Sequence, residues 1–318
     1  MKKIMTWSAA RAKCAMRDKL HMFDHRKSYG GRTNVDSQTG ADELARLIES
    51  GKPFLAGRLG QFETAAMHMF EFERKSGYQK IMDQLYDCAG FFPNDISLGK
   101  RFLQVSLEAF ENCDIYACNQ VFPEEYFIKN YLPKDSMIVR SIRIFENHRF
   151  ERPWSAALKG KKVLVVTSFP DTVKRQYINR ELLFPDTDIL PEFDLQVYKP
   201  LMTIGNMRDD RFNDWFEALE FMKKEVLELD FDVALVACGA YGLPLASAIK
   251  NSGRGAVQMG GVLQLLFGII GKRWDGSRFG GKEQMDPYLK RYYSDAWTYP
   301  LEKKPAEAMK VEYGPYWK

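Results

Sequence analysis

The chain has 318 residues, 45% of them hydrophobic, and a formal net charge of +4. That length bounds it at one large α/β domain or two smaller ones, and the hydrophobic fraction allows a full core. So small a charge argues against wholesale nucleic-acid binding, while a local basic pocket for phosphate stays open. The five cysteines have irregular spacing and no CxxC, which argues against a disulfide framework and a zinc site. His21, His25, His68 and His148 have no metal-ligand spacing either.

Residues 1–35 form a basic segment without the apolar stretch of a signal peptide. A solvated tail or irregular helix is expected there, with peripheral contact to the inner face of a membrane as the competing possibility. "GGVLQLLFGII" is too short to span a membrane, so a cytoplasmic, soluble protein is expected. In residues 36–155, "ADELARLIES" closed by Gly51 reads as a helix and "KPFLAG" as a strand. A helix follows Glu63 to about Lys75, and "DISLGKRFLQVSLEAFENC" repeats apolar residues at helical spacing. "DIYAC" and "SMIVR" read as short buried strands with a helix at "EEYFIKNYL" between them.

Residues 156–275 alternate more sharply. "KKVLVVTSF" is a β-branched run suited to a central parallel strand. "FDLQVYKP", "FDVALVACG" and "RGAVQMGG" continue the strands; "RFNDWFEALEFMKKEVLELD", "LPLASAIKNSG" and "VLQLLFGI" supply helices. Asp209 and Asp210 suit the N-cap of the long helix. The fold class expected is α/β, a doubly wound, mostly parallel sheet. One continuous sheet and two α/β halves around one cleft, divided near residues 150–160, are both compatible with this order. The tail 276–318, rich in Tyr, Trp, Pro and Lys, is expected to pack irregularly on the core.

Ligands of open α/β sheets bind at the C-terminal ends of the strands, and four strand exits carry unusual residues. In "GRLGQFE", Gly57 and Gly60 allow close approach and positive φ, and the helix starting near Gln61 offers free N–H groups. Arg58 suits a phosphate or carboxylate clamp, and Glu63 a metal ligand or general base; the plain alternative is a Glu63–Arg58 pair that complements the helix dipole. In "TSFPDTVKRQY", Ser168 and Asp171 resemble a capping box behind Phe169. A diphosphate lying on that helix start within reach of Lys174 and Gln176 is one expectation, and an ordinary capped helix the other. In "VACGAYGLPLASAIK", Gly239 and Gly242 flank a turn able to cradle phosphate, with Tyr241 placed to stack on a base. In "QMGGVLQLLFG", Gly260 and Gly261 separate strand from helix, and Gln264 is polar within an apolar helix. Together the exits describe a cleft for a phosphorylated ligand, most plausibly a nucleotide. The acidic pairs at 186–188 and 230–232 are set aside, the first as a turn and the second as lying at the wrong sheet edge.

"GRLGQFE", "KKVLVVTSFPDTVKRQY", "ILPEFDLQVYKPLMTIG" and the stretch from "FDVALVACG" to "GKRWD" resemble the GT-D fold glycosyltransferases of bacterial surface-polysaccharide biosynthesis, over roughly residues 40–275. The resemblance implies a Rossmann-like fold and transfer of a sugar from a nucleotide-diphosphate donor, often uridine-linked, to a glycan or lipid-linked glycan acceptor. It also implies Mn²⁺ or Mg²⁺ held by the acidic residues of an R-x-G-D-G-E pattern. Arg58, Gly60 and Glu63 match that pattern, while Gln61 stands at its Asp and Phe62 at its second glycine. Three outcomes are then open: Glu63 binds the metal with the donor diphosphate, the chemistry is metal-free, or activity is lost. The competing functional classes are a non-catalytic nucleotide-sugar or glycan-binding partner in polysaccharide assembly, and a pyruvyl-type transferase.

Overall fold

The computed structural model describes residues 28–277, 284–311 and 314–318. The basic segment lies outside them up to residue 27; beyond it, Ser28–Tyr29 and Arg32–Thr33 pair as a small antiparallel hairpin. The expected contact of that segment with a membrane therefore falls largely outside the described residues. Among the described residues, no helix is long and apolar enough to cross a membrane.

Seven strands form one sheet: β1 (Phe54–Gly57), β2 (Ile115–Ala117), β3 (Met137–Val139), β4 (Lys162–Val166), β5 (Asp194–Tyr198), β6 (Val233–Val236) and β7 (Gly255–Gln258). Their order is β3-β2-β1-β7-β6-β4-β5, and every pairing is parallel. The halves seen in the sequence supply opposite flanks, β3-β2-β1 and β7-β6-β4-β5. They join through β1 and β7, where Phe54 pairs with Gly255 and Ala56 with Val257. The sheet is therefore continuous, and the neighbours β6 and β4 send their connections in opposite directions, to β7 and to β5, a switch point where a crevice opens in such sheets.

The central strands are buried on both faces, which is why they read as unbroken apolar runs. Alternate side chains feed two separate cores. Leu55, Tyr116, Leu164, Val236 and Ala256 face one; Phe54, Ile115, Val165, Leu235 and Val257 face the other. The first core is covered by α2 (Gln61–Glu71), α4 (Gly99–Phe110), α5 (Glu124–Asn130), α8 (Trp215–Leu227) and α9 (Gly242–Asn251). The second is covered by α1 (Ser37–Ser50), α6 (Pro170–Ile178), α10 (Leu263–Leu266) and the tail. Short helices α3 (Tyr78–Gln84), α7 (Arg180–Leu183) and α11 (Pro287–Lys290) complete the described set.

Among the described residues of the tail, Thr298 bridges Ile269, and Trp297 and Trp317 are buried. Two local expectations are corrected. The long helix α8 is capped by Asp214, whose carboxylate accepts from the Glu217 N–H at 2.9 Å; Asp209 is instead taken by Arg211 at 2.6 Å. Gly57 and Gly60 do not have positive φ. At Gly60, φ is −72°, and the missing Cβ leaves room for the Glu63 carboxylate to fold back over the helix start.

Candidate functional site

A cavity of about 290 Å³ lies across the C-terminal ends of the strands. Its walls include residues following every strand: Arg58 to Glu63 after β1, Asn119 after β2, Ile142 after β3, Thr167 to Phe169 after β4 and Pro200 to Ile204 after β5. Ala237 to Gly239 with Tyr241 follow β6, and Gly260, Gly261 and Gln264 follow β7. Parallel strands all point the same way, so their exits are gathered on one edge. Of the residues singled out in the sequence, Arg58, Gly60, Gln61, Glu63, Ser168, Phe169, Gly239, Tyr241, Gly260, Gly261 and Gln264 line this cavity.

Arg58 is half-buried and makes no ion pair with any described residue. Its backbone N–H donates to Gln258 Oε1 at 3.0 Å, and its Nη1 reaches only the Leu59 carbonyl, at 3.5 Å. The guanidinium lies over Gly260, which has φ +65°; a Cβ there would come within 2.5 Å of Nη2. A half-buried guanidinium with most of its donors unused suits an incoming anion.

Glu63 is the one carboxylate among the described residues lining the cavity. It is the third residue of α2 and folds back over Gly60 toward its own helix start, consistent with the dipole-complementing alternative. The other half of that alternative is absent: Arg58 and Glu63 do not form an ion pair. Burial raises the Glu63 pKa above the ordinary carboxylate value, outweighing its own backbone N–H and the Arg58 charge. Gln61 opens the helix from an exposed position at the rim.

Other expectations change. The start of α6 has no Ser168–Asp171 capping box. Glu302 of the tail accepts from the Asp171 N–H at 2.9 Å and the Thr172 N–H at 3.1 Å, and also from the Thr172 hydroxyl. An internal carboxylate thus already occupies the position expected for a diphosphate. Lys174 is exposed and outside the cavity wall. Gln176 is buried and spent on structure, donating to the Gly268 and Ala296 carbonyls at 3.3 and 3.0 Å. Gly242 also lies outside the wall; it starts α9, where Gln258 packs against it. Tyr241 lines the cavity but has no free face for a base. Its ring stacks on Trp215 at 5.0 Å and 13°, and its hydroxyl is 2.9 Å from Thr203 Oγ1.

Comparison with protein-family models, with curated proteins and with solved structures gives no match. The site therefore stands on its own chemistry.

Several wall residues were missed in the sequence. Gln258 fixes the Arg58 backbone and is a polar residue closing an apolar strand, a signal that was legible. Asn119 follows β2 in the same way. Arg273, together with Tyr316 and Trp317 of the tail, forms one wall. Arg273 Nη1 donates to the Tyr316 hydroxyl at 3.0 Å, the Tyr316 ring covers Gly261, and Trp317 meets Phe169 edge-on at 5.1 Å. No local pattern announces such a long-range closure. Gln264 Oε1 and Trp317 Nε1 are buried without a hydrogen-bond partner among the described residues, an acceptor and a donor left open by residues of this wall.

Among the described residues there is no group of three His, Cys, Asp or Glu able to hold a metal. A divalent ion in this cavity would have Glu63 as its single carboxylate ligand from the described chain. This donor set does not by itself make a resident Mn²⁺ or Mg²⁺ site.

Proposed function

We propose that the chain is a glycosyltransferase that moves a sugar from a nucleotide-diphosphate donor, uridine-linked in the first instance, to a glycan acceptor. The observation that carries this is the half-buried, unpaired guanidinium of Arg58 beside the Gly260 turn, in the same cavity as Glu63. The order of residues in "GRLGQFE" and the other GT-D-like stretches supplies the reaction class.

In this proposal the sugar–phosphate C–O bond breaks and the acceptor hydroxyl oxygen bonds to the anomeric carbon. Charge grows on the departing diphosphate, and Arg58, with Arg273 on the tail wall, offsets it. The acceptor proton passes to the Glu63 carboxylate. A carboxylate with a raised pKa is a stronger base than a solvated one, so burial suits Glu63 to the task. Phe169 and the tail aromatics Tyr316 and Trp317 supply the apolar part of the wall, which limits water there.

Calorimetry with UDP and UDP-sugars, paired with release of UDP in the presence of acceptors, tests the proposal. Arg58→Ala is expected to weaken UDP binding roughly ten- to hundred-fold, the loss of a charge-assisted contact. Glu63→Gln is expected to keep UDP binding and lose turnover. Absence of any nucleotide binding, or equal binding by Arg58→Ala, defeats the proposal. The single carboxylate among the described residues of the cavity wall favours one second possibility, a non-catalytic nucleotide-sugar binder in polysaccharide assembly. Donor binding without turnover across an acceptor panel would select it.

A further inference from the structure

The strand order divides the cavity into two flanks about Glu63. On one side, β7 carries Gly260, Gly261 and Gln264, and the tail wall closes over them. On the other side, β2 and β3 contribute Asn119 and Ile142. Arg58 leans toward the β7 side, since its guanidinium lies on Gly260. The phosphate-binding chemistry therefore sits on one flank, and the β2–β3 flank needs another occupant.

Asn119 is half-buried, and its side-chain amide has no hydrogen-bond partner among the described residues. Its backbone is fixed all the same. Glu124, fully buried on α5, accepts from the Asn119 N–H at 2.8 Å, the Gln120 N–H at 2.7 Å and the Tyr116 hydroxyl at 2.5 Å. Gln120 has φ +60°, a conformation rare for a residue with a side chain, and its amide donates to the Arg140 carbonyl at 2.7 Å. A strained turn pinned by a buried carboxylate, presenting a free amide to a cavity, is a preorganised contact. A primary amide offers two donors and an acceptor on one planar group, a set that matches neighbouring sugar hydroxyls.

We infer that the β2–β3 flank is the subsite for the hydroxyl-bearing glycan acceptor, that Asn119 contacts it, and that Glu124 is the positioning residue for Asn119. The assignment rests on the transferase proposal for which of two substrates lies where. The probes are octyl β-glycosides of glucose, galactose and N-acetylglucosamine, followed by saturation-transfer NMR with and without UDP, while UDP affinity is measured separately by calorimetry. Wild-type protein is expected to show contact with at least one glycoside, and Asn119→Ala to lose about ten-fold of it with UDP affinity unchanged. Arg58→Ala should do the reverse. Glu124→Ala should lose the glycoside contact while keeping a native circular dichroism spectrum and UDP affinity, and Glu124→Gln, which retains an acceptor oxygen, should restore it. No glycoside contact in wild type, equal contact in Asn119→Ala, or loss of UDP affinity alongside it in Asn119→Ala would overturn the subsite. A failure of UDP to bind wild type, with the glycoside results intact, would instead overturn the nucleotide half of the transferase proposal.

Discussion

Glu302 gives the sharpest test of how the strand exits are organised. Its carboxylate serves as a cap supplied from about 130 residues away, receiving two backbone N–H groups and one hydroxyl at the start of α6. Replacing an ordinary N-cap costs ~0.5–2 kcal/mol, and the charge at a helix start adds ~0.3–1 kcal/mol at low salt. Glu302 is half-exposed, so the charge component is screened and the lower part of that addition applies. Glu302→Ala is therefore expected to cost about 2 kcal/mol, and Glu302→Gln about half of that. Urea unfolding followed by circular dichroism reads the loss as a lower midpoint, and the gap between the two variants should narrow as salt is raised. A second consequence is functional. Removing the internal anion frees the Asp171 and Thr172 N–H groups, so inorganic sulfate should stabilise Glu302→Ala more than the wild type. A loss under about 0.3 kcal/mol in Glu302→Ala, or equal sulfate stabilisation of both proteins, would refute the capping assignment.

Gly260→Ala forces a side chain into φ +65° and against Arg58 Nη2, so it should cost ~1–2 kcal/mol of stability and also lose UDP affinity, read by urea unfolding and calorimetry. Glu124 has its pKa raised from 4.5 to about 7, burial outweighing its hydrogen bonds. The native state then holds this proton more tightly than the unfolded chain does. Its contribution is complete below about pH 4.5 and is lost as pH rises through about 7, so wild type should lose about 3 kcal/mol relative to Glu124→Gln between those limits. Parallel unfolding curves of the two proteins from pH 5 to 8 check it, and a constant difference would contradict the assignment. Glu63 also has a raised pKa, so turnover by the basic carboxylate should climb with pH above the ordinary carboxylate range, and this limb should vanish in Glu63→Gln. Trp215 is fully buried against Tyr241, Phe91 and Phe102, and Trp215→Ala should cost ~3–5 kcal/mol in the same unfolding assay.

The central strands were legible because each carries its burial in its own sequence. "KVLVV" and "VALV" have no polar face to hide, so a doubly covered parallel strand was the consistent solution. The gathering of strand exits on one edge then followed from parallelism alone. What could not be read was the identity of partners distant in the chain. Ser168 and Asp171 look like a local cap, but the free-energy minimum uses Glu302 instead, and nothing near residue 170 encodes a carboxylate arriving from the tail. Tyr241 looks available because it sits in a glycine turn; Trp215 and Thr203, each tens of residues away, take its ring and hydroxyl. Gly60 suggested a left-handed turn, but its backbone is extended, and its small size instead leaves room for the Glu63 side chain.

The site and the tail are consequently one unit. Glu302 satisfies α6, Leu301 N–H donates to the Thr172 hydroxyl at 2.9 Å, and Tyr316 and Trp317 close the wall over β7. With the α6 start neutralised from within, Arg58 and Arg273 are left as the cationic side chains facing the cavity, one on the β1 exit and one on the tail wall. If the proposed transferase reading holds, a donor's anionic part would be drawn to the β1–β7 side and away from β4, where the sequence had placed it. Glu63 lies between that end and Asn119, the placement a base needs if it is to take a proton from one substrate while the other departs as an anion.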